Sequence, residues 1–124
     1  MKSGKKEIKA FKIEAWAERA RRFYGIADEN DPTIEVGGVR GAEGEYIAKG
    51  FTKDNLLAEH IIRVKIGASY LTIAHEIAHW VQQCIEGETY CFSCKNVVGK
   101  GAEKIRHYEI EQEVIGLARA IDNA

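Results

Sequence analysis

Residues 60–87, HIIRVKIGASYLTIAHEIAHWVQQCIEG, read as a strand, a turn and a helix in succession. His60 to Ile66 is rich in β-branched residues, alternates after Ile62 and ends at Gly67, the pattern of a strand. Ser69 is a good N-cap for a helix running to about Ile85, with Gly87 as its stop signal. Leu71, Ala74, Ala78, Val81 and Ile85 recur at helical spacing and predict its buried stripe.

Working outward, residues from about Lys5 to Tyr24 predict an amphipathic helix with Ile13, Trp16, Ala17, Ala20, Phe23 and Tyr24 on one face. Gly25 ends it, and Asp28 to Pro32 form a polar turn. Thr33 to Val36 and Glu45 to Phe51 predict short strands between glycine clusters, neither of which carries a phosphate-loop pattern. Beyond residue 87 a loop runs to about Gly101. A last helix spans about Ala102 to Ile121, with Ile110, Val114, Leu117, Ala118 and Ile121 as its stripe. The order helix, three strands, helix, loop, helix predicts one α+β domain over residues 1–124, since that length supports a single core.

Composition narrows the function classes. Hydrophobic residues make up 45% and charged residues 30%, the balance of a soluble globular chain. A formal net charge of -1 gives no electrostatic reason for a nucleic-acid or anionic-membrane partner. No apolar run has signal-peptide or membrane-spanning length, which predicts a cytoplasmic protein.

The chemistry is concentrated in His75-Glu76-Ile77-Ala78-His79. Four residues apart on a helix, the two imidazoles share a face about one turn from each other, where both can bind one tetrahedral Zn²⁺. Zinc lowers the pKa of water, and Glu76, on the same turn, is placed to take the proton as general base. At this composition roughly 0.015 such motifs arise by chance, so the pattern is specific.

A catalytic zinc needs a third protein ligand. His60, His107, the cysteines and the acids of the last helix are the candidates. At about 100° per residue, Glu111 falls at the rim of the apolar stripe, whereas Glu109 lies on the polar side and Glu113 at the opposite edge. Glu111 is therefore the preferred third ligand. His107, on the stripe itself, is its rival; it also reads as an oxyanion donor or a packed core histidine.

His75-Glu76-x-x-His79 with a glutamate on a later helix resembles the pattern of gluzincin metallopeptidases. Glu111-Gln112-Glu113-Val114-Ile115-Gly116-Leu117-Ala118 is similar to the second helix of their smallest members, the minigluzincins and ImmA/IrrE-type peptidases. The resemblance covers most of the chain. It implies a minimal zincin-like core, a helix packed on a small twisted sheet followed by the motif and glutamate helices. It also implies zinc-dependent hydrolysis of peptide or protein substrates, with extended substrate pairing along an edge strand at about Ile61 to Ile66. Ile115 departs from the polar residue usual in that run. His75 to Gln82 resembles the SprT-like motif helix as well, a family with a third histidine and usually a four-cysteine ribbon. Only one Cys-x-x-Cys pair is present here. The reading from another class is a zinc-stabilised regulatory or interaction module with little or no peptidase activity.

Three cysteines, Cys84, Cys91 and Cys94, exclude a complete internal disulfide framework. Cys91-x-x-Cys94 has zinc-hairpin spacing and Cys84 could add a third thiolate, with no fourth ligand evident from sequence. Reduced loop thiols or a Cys91–Cys94 disulfide are the other readings. Tyr90 and Tyr108 are candidate oxyanion phenols, although packing is the commoner role for such side chains.

Overall fold

A computed structural model describes residues 2–37, 43–49, 59–87 and 101–122. The chain is α+β, with helix α1 (Lys2–Tyr24), strands β1 (Thr33–Val36), β2 (Gly44–Lys49) and β3 (Glu59–Val64), and helices α2 (Tyr70–Glu86) and α3 (Gly101–Asp122).

Local chemistry sets the helix ends. The Ser69 hydroxyl accepts from the Thr72 backbone N–H at 3.3 Å, an N-cap contributing about 1 kcal/mol. At the other end of α2, Gly87 is left-handed at φ 77° and its N–H donates to the Gln83 carbonyl. Helix α1 ends at Gly25, with φ 68°. There Ile26 N–H reaches Arg21 O and Gly25 N–H reaches Arg22 O, the paired bonds of a Schellman turn.

β3 is the central strand of the sheet, whose order is β1-β3-β2. It pairs parallel with β1 and antiparallel with β2. This overturns the expectation that Ile61 to Ile66 forms a substrate-pairing edge, since both sides of β3 are taken within the sheet. Its near-continuous apolar run, with Ile61, Ile62 and Val64 all buried, suits a central position. The register sets Gly44 opposite Val64 and Tyr46 opposite Ile62. One layer outward, Arg63 bonds Glu35 on β1 and Glu45 on β2, each at 2.8 Å, tying all three strands across one row.

The core joins Ile13, Trp16, Ala17 and Ala20 of α1 to Ile62 and Val64 of β3, the middle of α2, and Ile110, Val114, Ile115 and Ala118 of α3. Helix α1 is thus part of the core. Phe23, expected on its stripe, is 56% exposed because the helix is ending there. Helix α2 departs from a single stripe. Leu71 and Ile85 at its ends are exposed, whereas Ile73, Ile77 and Trp80 are buried beside the expected Ala74, Ala78 and Val81. The reason is its position between the sheet and the two other helices, which buries its middle on nearly every side. The Trp80 indole N–H donates to the Asn30 carbonyl at 2.8 Å and so anchors the short turn at Asp28–Asn30 to α2.

Candidate metal centre

One helical turn of α2 and the facing turn of α3 bring three imidazoles together. His75, His79 and His107 each offer a ring nitrogen, and these atoms lie within 4.8 Å of one another. The ring centroids are 4.1 to 4.8 Å apart. His75 and His79 face each other through Nε2 atoms at 3.1 Å. Two nitrogens bound at 2.0–2.1 Å to a tetrahedral zinc stand about 3.3 Å apart. The pair therefore already has the spacing such an ion requires.

Glu111 reaches the same cluster from α3. Its Oε1 lies 2.6 Å from His75 Nδ1 and 4.0 Å from His107 Nδ1. A carboxylate only accepts, so His75 carries its proton on Nδ1 and presents a bare Nε2 toward His79. This is the carboxylate–imidazole arrangement that fixes the tautomer of a metal-binding histidine. His107 is 2% exposed, and its Nε2 lies 3.4 Å from the His75 carbonyl, which locks α3 against the motif turn.

Burial governs the electrostatics. The His79 imidazole is pushed down to about 2 by burial first, with His107 and His75 adding to the effect. Burial likewise lowers His107 to about 4, aided by His75 and partly opposed by Glu111 and the bond to the His75 backbone. Both rings are therefore neutral at pH 7, the protonation state a metal needs.

Glu76 sits beside this cluster, 6% exposed. Burial pushes its carboxyl up to about 7 against the opposing influence of His75, with Glu45 and Glu111 adding to the rise. Such a value suits proton exchange near neutrality. The side chain is packed against β2 at Gly44. A methyl group there would come 3.1 Å from Glu76 Cγ and 3.1 Å from Thr72 Cγ2, so a larger residue would make both side chains give way by a few tenths of an ångström. Sequence reading gives Gly44 no role, because its contact depends on the β2–β3 register.

The other expected residues divide. Tyr108 is 56% exposed, and its ring makes no recorded contact with the cluster among the described residues. Tyr90, Cys91 and Cys94 lie outside the described residues. His60 is buried on β3, away from the three clustered histidines, and bonds Tyr46.

Comparison of the chain with protein-family models, with curated proteins and with solved structures finds no match. No helix among the described residues is long and apolar enough to cross a membrane.

Proposed function

We propose that the chain is a zinc-dependent metallopeptidase in which Glu76 is the general base. The observation that carries this reading is the convergence of three imidazoles, two of them held neutral by burial, beside one buried carboxylate of raised pKa. His75, His79 and His107 would hold the metal, and Glu111 orients His75 from behind. This ligand set departs from the sequence-based choice of Glu111 and follows its rival, His107, as the SprT-like resemblance does. A zinc ion held there supplies Lewis acidity toward a peptide carbonyl and toward water. Glu76 accepts the proton of the attacking water and later carries it to the leaving amine nitrogen.

The substrate strand belongs on β2 rather than β3. Among the described residues nothing pairs with the outer edge of β2, and Gly44 on that strand touches Glu76. An extended peptide added there would gain backbone hydrogen bonds next to the base.

The two ligand assignments make opposite predictions. With Glu111 as an orienting group, Glu111→Gln weakens zinc binding about 10- to 100-fold yet still fills at excess metal, while His107→Ala leaves no filled site. Zinc titrations of both variants check this, and the reverse ranking would return Glu111 to the metal.

A module that binds zinc without useful turnover is the second reading. It is favoured by the depth of the ligands, since His79 and His107 are 7% and 2% exposed. Zinc content measured beside a casein and peptide-library assay, at several protein concentrations, separates the two. Stoichiometric zinc with cleavage that a chelator abolishes is expected; stoichiometric zinc without cleavage would replace the peptidase reading by the module.

A further inference from the structure

A second carboxylate stands beside the base. Glu43 immediately precedes β2, and its carbonyl accepts from the Lys65 N–H at 2.7 Å, which carries the pairing of β2 with β3 one residue further. That bond fixes the backbone of Glu43, while its side chain is exposed. The carboxylate accepts from the Thr72 hydroxyl at 3.4 Å. Thr72 is four residues before Glu76 on α2, so the two side chains share one face about one turn apart. Gly44 lies against both of them. The Glu43 carboxylate is thereby held about one helical turn from that of Glu76. Resting on the peptidase reading of the same site, we infer that Glu43 sets substrate specificity. It binds a cationic nitrogen, ammonium or guanidinium, of a peptide laid along the outer edge of β2.

Two observations point to a cation supplied from outside. Among the described residues Glu43 has no basic partner. Arg63, one register row away, is held by Glu35 and Glu45 at 2.8 Å each. The Thr72 hydroxyl is one long contact, whereas a carboxylate has about four acceptor sites. Glu76 supplies the second observation. It is 6% exposed and has no hydrogen-bond partner among the described residues. Buried polar groups are almost always bonded, so a lone buried carboxylate facing β2 is placed to meet a group that enters the site.

The way a peptide adds to a strand explains why one side chain can decide the choice. An added strand gains affinity through its backbone, and selectivity comes from the groups that meet its side chains. Glu43 is such a group at the end of β2 that touches Glu76 through Gly44. A cation placed there exchanges water for a charge-assisted bond, whereas an acidic residue meets repulsion. Two sources carry such a nitrogen: a lysine or arginine side chain within the substrate, and its terminal α-ammonium. Both set one positive charge on the same carboxylate.

Peptide binding to the zinc-loaded full chain carrying Glu76→Gln tests this, because binding is read without turnover. The wild type, read before cleavage proceeds, runs beside it. Two sets of short peptides are compared: lysine against norleucine, scanned along a neutral sequence, and a free amino terminus against an acetylated one. In one set the cationic member is expected to bind about 5-fold tighter at low salt, the upper range for an exposed charge pair. The preference should shrink as salt screens it. Glu43→Gln should bind both members alike, and Glu43→Lys should favour the neutral one. Thr72→Val, which removes the hydroxyl contact, should keep the preference. Preference in the lysine set assigns a side chain, and preference in the other set assigns the amino terminus; either supports the role of Glu43. Equal binding within both sets would overturn it, as would a preference that Glu43→Gln retains, or binding of no peptide at all. A wild type that binds with this preference yet cleaves nothing would sink the peptidase reading alone.

Discussion

Glu76→Gln is expected to keep zinc at one ion per histidine cluster and to lose peptide hydrolysis by about 10²- to 10⁴-fold, the range for removing a general base. The amide has almost the same shape, so the packing on Gly44 and the neighbouring turn survive. It cannot accept a proton from water or return one to the leaving nitrogen. No clustered histidine is freed to replace it, because His79 and His107 are both directed into the cluster. The fall should appear in kcat more than in KM, since Glu76 acts on the reacting water rather than on substrate binding. Metal analysis of the purified variant beside initial rates on a peptide library checks both halves. Undiminished cleavage would remove Glu76 from the chemistry, and loss of zinc would make it a structural part of the site.

The helices and strands were legible because their signals are local. Ser69 and Gly87 bracket α2, and both caps form. Thr33 to Val36 is found as a strand with those bounds. What a periodicity cannot carry is which neighbour an element meets. The isoleucines of β3 fit a buried strand equally well at an edge or in the middle, and only its pairing with both β1 and β2 sets it in the middle. The rival ligands show the same limit. His107 and Glu111 are one turn apart on one face of α3, and a helical projection ranks them by nearness to the stripe. Their placement rests on the approach of α3 to α2, which seats the imidazole of His107 among the other rings and sets the carboxylate of Glu111 on His75 Nδ1. The motif His75-Glu76-x-x-His79 needed no such long-range information, since one turn of helix carries it whole.

Metal removal should convert the buried histidines from an asset into an acid-sensitive weakness. In the metal-free chain His79 and His107 stay neutral to about 2 and about 4, while in the unfolded chain each titrates near 6.5. Groups with a depressed folded pKa lose stability as pH falls below the unfolded value, because the unfolded state takes up protons first. Between pH 7 and pH 5 each costs about 2 kcal/mol, about 4 for the pair. Glu76 acts in the opposite direction. Its carboxyl is raised to about 7, so the folded state gains a proton over that interval while the unfolded carboxylate does not, returning about 2 kcal/mol. The metal-free wild type should therefore lose about 2 kcal/mol, and metal-free Glu76→Gln, lacking the compensation, about 4. Against a total of about 5–15 kcal/mol for a domain, either is a large fraction. Zinc at a thousand times its Kd should add about 4 kcal/mol at pH 7, an increment that shrinks toward pH 5 as protons compete for the imidazoles. Urea unfolding of both chains at the two pH values, with and without a chelator, measures all of these. Equal acid sensitivity of the two metal-free chains would show that Glu76 does not take up a proton on folding as its burial requires. An effect of zinc that does not vary with pH would show that the imidazoles are not what holds it.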